Sequence, residues 1–118
     1  MGYYSEVAFA LPASEWKNLV SINKGVENSV FDIVSEEVQF ERDDLDDDAD
    51  TKWILIRWYC IKWKAHNESI KSIQRYLDYE EGPYEFLRLG EDSSDIEYIS
   101  NEIGNEILGV RTEIEVYL

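Results

Sequence analysis

The chain has 118 residues, 44% of them hydrophobic, and a formal net charge of −15 from 26 acidic and 11 basic residues. Its length suits one domain, residues 1–118, and its hydrophobic content excludes a wholly disordered chain. The charge argues against direct binding to nucleic acid or to an anionic membrane, because both require clustered Lys and Arg.

The first two predicted elements are a strand and a helix. Residues Tyr3–Leu11 are rich in aromatic and small apolar side chains and stop at Pro12, which favours a strand. Ser14 is then a good N-cap for a helix that ends at Gly25. One face of this helix is predicted to carry Trp16, Leu19, Val20 and Asn23.

Residues 26–41 fit two patterns. Valine recurs every four residues from Val26 to Val38, which suits a helix. The β-branched content and the alternation around Phe40 suit a strand from about Glu36. We expect a short helix or turn followed by that strand.

Residues Lys52–Lys64 carry the strongest strand pattern of the chain. Because both faces of the segment are largely apolar, we expect a central strand that is at least partly covered on both sides. Cys60 is predicted to be a buried structural thiol. One face is predicted to hold Ile54, Ile56, Trp58 and Cys60, and the other Trp53, Leu55, Arg57, Tyr59, Ile61 and Trp63.

The second half of the chain predicts one more helix and four further features. Asn67 is a good N-cap for a helix over Glu68–Tyr79, whose buried stripe would be Ile70, Ile73, Tyr76 and Leu77. The elements predicted after it are a turn at Gly82 and Pro83, a strand over Tyr84–Leu89 ended by Gly90, a short helix or turn over Asp95–Ser100, and a strand within Glu106–Tyr117.

This element order predicts an α+β fold. The simplest architecture is a single antiparallel or mixed sheet of about five strands with two main helices packed on it, similar to the ferredoxin-like motif.

Charge is distributed unevenly along the chain. Seven of the ten residues at 41–50 are acidic, which is typical of a solvated loop. Residues 52–75 contain six basic residues and the single acid Glu68, so we expect a modest basic patch on this strand and helix. The acidic loop would either compensate this patch within the molecule or face a partner.

Catalytic and metal-binding patterns are weak, so we predict no enzyme activity, metal or cofactor. His66 is the single histidine, and with the single Cys60 it cannot build the usual structural zinc site or an internal disulfide. An EF-hand beginning at Asp44 would need Gly where Ala49 stands and Glu where Leu55 stands. The turn after Gly90 lacks Lys and carries acids that repel phosphate, which excludes nucleotide binding.

No targeting or membrane segment is predicted. Residues 1–11 have no basic start and include Glu6, unlike a signal peptide, and no run of about 18 apolar residues occurs. With one cysteine, the chain suits the reducing cytoplasm.

Three short patches resemble a group of small acidic phage and prophage proteins. That group tends to start Met-Gly-Tyr-x-Ser-x-Val-Ala and to carry a late turn that ends in Gly-Glu-Asp. The matching patches are Met1–Ala8, Ile61–Trp63, and Tyr84–Asp92 followed by Asp95–Glu97. The resemblance implies the cytoplasm of a phage host and a role in inhibiting host defence, as anti-CRISPR and anti-restriction proteins do, and it carries over no catalytic residue.

The leading hypothesis is a non-catalytic inhibitor that docks on the basic surface of a defence or nucleic-acid enzyme, in one version by mimicking the charges of nucleic acid. An immunity protein or antitoxin that neutralises a basic toxin is the alternative, and monomer and homodimer are both open. Acids at 41–50, 78–81 and 91–97 would form one acidic face if their turns lie at one end. The predicted partner-binding residues are Asp43, Asp44, Asp46, Asp47, Asp48, Glu91, Asp92 and Asp95, with Trp53 and Trp63 as aromatic anchors if the outer face of their strand is uncovered.

Overall fold

The computed structural model describes residues 3–41, 51–79, 83–92 and 94–100. Three predicted features lie outside these ranges: the binding acids Asp43, Asp44, Asp46, Asp47 and Asp48, the turn residue Gly82, and the strand within Glu106–Tyr117. The elements are β1 (Ser5–Pro12), α1 (Ala13–Ile22), a 3-10 turn (Val30–Asp32), β2 (Glu36–Glu41), β3 (Lys52–Ile61), α2 (Glu68–Tyr79), β4 (Glu85–Leu89) and β5 (Ile96–Ser100).

The described strands form one sheet in the order β2-β3-β1-β4-β5. Every neighbouring pair is antiparallel. The first four strands and both helices follow the β-α-β-β-α-β order of the ferredoxin-like motif, and β5 adds to the outer edge of β4. The predicted α+β fold, with one sheet of about five strands and two helices, is confirmed.

Both helices pack on one face of the sheet, where they enclose the main core. The ring of Phe9 lies at its centre and makes edge-on contacts with Tyr76, Tyr84 and Phe86, at centroid distances of 5.8, 6.4 and 5.8 Å. Each large apolar side chain buried here stabilises the fold by about 1.5–3 kcal/mol. The other buried members are Val7, Leu11, Trp16, Leu19, Val30, Ile54, Ile56, Trp58, Ile61, Ile70, Ile73 and Leu77.

The opposite face of the sheet carries a second, smaller buried cluster. Its members are Ala8, Ala10, Trp53 and Leu87, with Phe40, Leu55 and Leu89 partly buried against them. Strand β3 lies between β2 and β1 and contributes buried side chains to both faces, as its two apolar faces predict.

A bulge in β3 corrects the predicted assignment of its faces. Val7 pairs with Trp58 but Ser5 pairs with Ile61, so β3 has one more residue than β1 over this stretch. The extra residue moves every later side chain to the other face. Ile61 therefore joins Trp58 in the main core, and Cys60, predicted to be buried, is exposed.

The start of α1 also differs from the prediction. The chain enters the helix directly from β1, with Pro12 at the N-cap position and no side-chain cap bond, so Ser14 lies inside the helix. Trp16, Leu19 and Asn23 are buried as predicted, but Val20 is 39% exposed.

Of the later elements, α2 agrees with the prediction and β5 does not. Helix α2 spans Glu68–Tyr79 as predicted, and Asn67 Oδ1 accepts the backbone N–H of Ser69 at 2.9 Å, which is an N-cap bond. The helix or turn predicted at Asp95–Ser100 is wrong, because Ile96–Ser100 pairs along its length with β4. Pairing with a neighbouring strand outweighs the weak local preference of a five-residue segment.

Candidate functional site

Residues 3–6, 61–62 and 88–92 meet at one end of the sheet. β1 begins at this end, and β3 and β4 finish there, since Ser5 pairs with Ile61 and Glu6 pairs with Leu89. The Nζ of Lys62 lies 5.4 Å from the centre of the Tyr4 ring, within the range of a cation–π contact. Antiparallel pairing thus brings residues from both ends of the described chain into one corner.

Tyr3 holds the turn that follows β4. Its hydroxyl donates to Asp95 Oδ2 at 2.6 Å and accepts the backbone N–H of Asp92 at 3.1 Å. The backbone N–H of Tyr4 donates to Glu91 Oε1 at 2.9 Å. A Cβ at Gly90 would overlap the Asp95 carboxylate and the Tyr3 hydroxyl, so only glycine allows this approach.

Arg88 binds the same turn from the strand. Its Nη2 lies 2.8 Å from Asp95 Oδ1, its Nε lies 3.1 Å from Glu97 Oε1, and its Nη1 donates to Ser5 Oγ at 3.2 Å. The guanidinium of Arg88, followed by the Tyr3 hydroxyl, lowers the pKa of Asp95 below its ordinary value. In return, the hydrogen bond to Asp95 raises the pKa of Tyr3.

Three acids of this turn are predicted partner-binding residues. Asp92 and Asp95 make hydrogen bonds that hold the turn, and Glu91 makes one hydrogen bond to the backbone of Tyr4. Asp95 is paired with Arg88, and Asp92 Oδ1 accepts the backbone N–H of Ser94 at 2.9 Å, which lowers the pKa of Asp92. Glu91 holds Tyr4 and remains exposed. Sequence reasoning missed Tyr3, whose partners Asp95 and Asp92 lie 92 and 89 residues away. It also missed Arg88, which binds Asp95 across the turn between β4 and β5.

The two predicted aromatic anchors do not lie on an open face. Trp53 is fully buried in the second cluster. Trp63 packs inward, with ring centroids 5.6 Å from Trp58 and 5.8 Å from Phe86. Trp53 therefore lacks the exposure on which its assignment depended, and Trp63 is partly buried against the main core.

The described acids of the predicted acidic face do not all lie at one end of the sheet, and Arg57 and Lys71 of the predicted basic patch lie on different faces. Glu41 and Lys52, which flank residues 42–50, pair at the end of the sheet where β1 finishes, about 25 Å from the Gly90 turn. Arg57 lies on the face opposite the helices and pairs with Glu36 at 3.2 Å. Lys71 lies on α2 and pairs with Glu68.

A groove of about 730 Å³ lies between α1 and β2. Its apolar lining includes Trp16, Val20, Phe31, Val34 and Ile54. Acidic residues Asp32, Glu36 and Glu37 also line it, together with the single base Lys17. Sequence reasoning missed the groove because its walls come from helix, turn and strand segments that meet only in the folded chain.

Strand β2 forms one border of this groove and one edge of the described sheet. It pairs with β3 on one side, and no described strand pairs with its other side. Glu37, Val38, Gln39 and Glu41 are exposed. An edge strand of this kind presents backbone N–H and C=O groups to solvent.

The described residues contain one histidine and one cysteine, and their acidic side chains do not gather into a metal-binding group. His66 is exposed on the connection between β3 and α2. Across residues 3–41, 51–79, 83–92 and 94–100, no group of three or more His, Cys, Asp and Glu side chains could hold a metal ion. Within the same ranges, neither helix is long and apolar enough to cross a membrane.

No protein-family model, curated protein sequence or solved structure matches this chain.

Proposed function

We propose that this chain is a non-catalytic binding protein that docks on a basic surface of another protein, as a phage-type inhibitor of a host defence or nucleic-acid-handling complex would. The observation that carries the proposal is the formal net charge of −15, which ion pairs within the chain leave unchanged. Charge of one sign on an exposed surface attracts a complementary partner and speeds association.

Acids outnumber bases by 14 to 9 in the residues that the structure describes. Arg57, Lys71 and Arg88 are each paired with carboxylates. Exposed acids remain at Glu27, Asp32, Glu37, Glu41 and Asp78. Ion pairing does not change the net charge of these residues, so their excess of negative charge stays available to a partner.

The distribution of these acids favours protein docking over mimicry of a nucleic-acid duplex. A mimic needs regularly spaced charges along one surface, about one per 1.7 Å of duplex axis. Glu41 and Lys52, which flank residues 42–50, lie at one end of the sheet. The Gly90 turn lies at the opposite end. Glu41 at one end of the sheet and the acids of the Gly90 turn at the other suit contacts with basic side chains of a protein better than one continuous phosphate-like row.

Affinity capture from host extract, followed by kinetics with the purified partner, tests the proposal. We expect a basic partner whose association rate falls as salt rises from about 0.05 to 0.3 M, because salt screens exposed charges. Charge reversal at Asp46, Asp47 and Asp48 is expected to slow association with little effect on dissociation. A partner whose association ignores both salt and charge reversal would contradict the proposal.

A further inference from the structure

We propose that the outer edge of β2 accepts an extended segment of the partner as an added strand, and that this segment alternates basic and apolar residues. The inference rests on the proposed function and names the docking surface and the chemistry of its occupant. Strand addition is a common mode of peptide recognition, in which backbone hydrogen bonds give affinity and alternate side chains give specificity.

The two faces of β2 present different chemistry to an added strand. Glu37, Gln39 and Glu41 pair with Ile56, Ile54 and Lys52 of β3, and they share the face on which the helices pack. On the opposite face, Val38 and Phe40 pair with Leu55 and Trp53. Side chains of an added strand would therefore lie beside acids on one face and beside apolar groups on the other.

The groove beside α1 gives room for long basic side chains. It lies on the helix-facing side of β2, and its lining combines apolar Trp16, Val20 and Phe31 with acids Asp32 and Glu37, which outnumber the single base Lys17. Lys and Arg bury their aliphatic stems on apolar surface while keeping the charged head near acids or water. An added strand with Lys or Arg on this face would satisfy both kinds of lining.

The acids on β2 also select against other occupants. A second copy of β2 would bring glutamates of two chains side by side, and like charges directly opposite one another destabilise a strand pair. An acidic segment meets the same repulsion. The surface therefore selects a basic strand over self-association.

Titration of the isotope-labelled full chain with a capped Lys-Val-Lys-Val-Lys-Val-Lys peptide tests the inference, with the matching Glu-Val peptide as the control ligand. We expect saturable shifts of backbone amide signals in β2 and in the groove residues of α1. Glu37→Lys should weaken binding about fivefold to tenfold, because it replaces an attraction with a repulsion. The charge-matched variant Asp78→Lys, at an exposed acid of α2, should change the affinity less than twofold.

Each other result would overturn the inference. The inference fails if the Lys-Val peptide does not bind at about 1 mM or if the Glu-Val peptide binds equally well. It also fails if Glu37→Lys and Asp78→Lys weaken binding equally. Line broadening of β2 signals without peptide would instead assign the edge to a second copy. If the peptide fails while salt-sensitive capture of a basic partner persists, the proposed function stands and its contact surface lies elsewhere.

Discussion

At residue 90, the lack of a side chain allows two other side chains to meet. The Tyr3 hydroxyl and the Asp95 carboxylate occupy the space that a Cβ at Gly90 would fill. Tyr3 and Asp95 are 92 residues apart, and their hydrogen bond joins the start of β1 to the start of β5. The corner therefore depends on a glycine, a tyrosine and an aspartate acting as one unit.

Gly90→Ala is expected to lower the denaturant midpoint at least as much as Tyr3→Phe, because the new methyl group displaces the hydrogen-bonded pair. The two substitutions remove the same hydrogen bond, so their effects on stability should not add. The double variant should be only slightly less stable than the less stable of the two single variants. Chemical unfolding of the four proteins checks this. Fully additive effects would show that Gly90 and Tyr3 act independently.

Acid titration is expected to weaken the same corner. The pKa of Asp95 lies below its ordinary value near 3.8 in the folded chain, because Arg88 and then Tyr3 donate to the carboxylate. A lowered pKa gives a contribution that is complete above the unfolded value and is lost as the pH falls through the folded value. The difference in unfolding midpoint between the native chain and Asp95→Asn should be steady from pH 7 to about 5 and shrink below about 4.

The comparison with Asp95→Asn separates this effect from the general loss of negative charge at low pH, which both proteins share. A difference that stays constant down to pH 2 would show that the Asp95 carboxylate does not contribute through its charge.

At the scale of the element, the bulge in β3 decides which of two neighbouring residues is buried. Ile61 is 4% exposed in the main core, and Cys60 is exposed. Strict alternation from Trp58 assigns both residues to the wrong faces. One inserted residue in a strand pair therefore changes both the core and the accessible chemistry of the surface.

The bulge predicts opposite responses at these two positions. Ile61→Ala should destabilise the fold by about 2–4 kcal/mol, because it removes buried apolar atoms. Cys60→Ser should change stability by less than about 0.5 kcal/mol, as exposed substitutions usually do. Chemical unfolding gives both values, and native Cys60 should react fully with a thiol reagent. Slow labelling of Cys60 together with a small effect at Ile61 would favour the regular strand.

At the scale of the whole molecule, the large negative charge lowers the stability of the folded state. The chain carries −15 in 118 residues, and carboxylates remain exposed after the described ion pairs are formed. Self-repulsion at this charge keeps a protein soluble but destabilises its compact state. The charge therefore has a cost to folding that a binding role would explain.

Salt is expected to stabilise the isolated chain and weaken its proposed complex. Raising ionic strength from about 0.01 to 0.15 M shortens the screening length from about 30 to 8 Å and reduces the self-repulsion. The thermal midpoint should rise over this range in sodium chloride, as measured by circular dichroism. A midpoint that falls would mean that the internal ion pairs outweigh the repulsion.

Sequence by itself determined the features that depend on local patterns. Helix α2 and its Asn67 cap follow from an apolar stripe with helical spacing and a side chain that can accept the first backbone N–H groups. The α+β class and β2 from Glu36 follow from alternation and segment order in the same way. These features need only near neighbours in the chain, which is why the residue pattern predicts them.

Tertiary structure alone decided the features that join distant segments. The meeting of Tyr3 with Asp95, the face of Ile61, the strand at β5 and the groove beside β2 each depend on pairing between elements. The Gly-Glu-Asp turn is visible in the sequence as an acidic cluster, yet pairing with Arg88 turns Asp95 from a candidate contact into a structural group. Register and cross-strand contact are set by the sum of many non-local interactions, and no single segment contains that information.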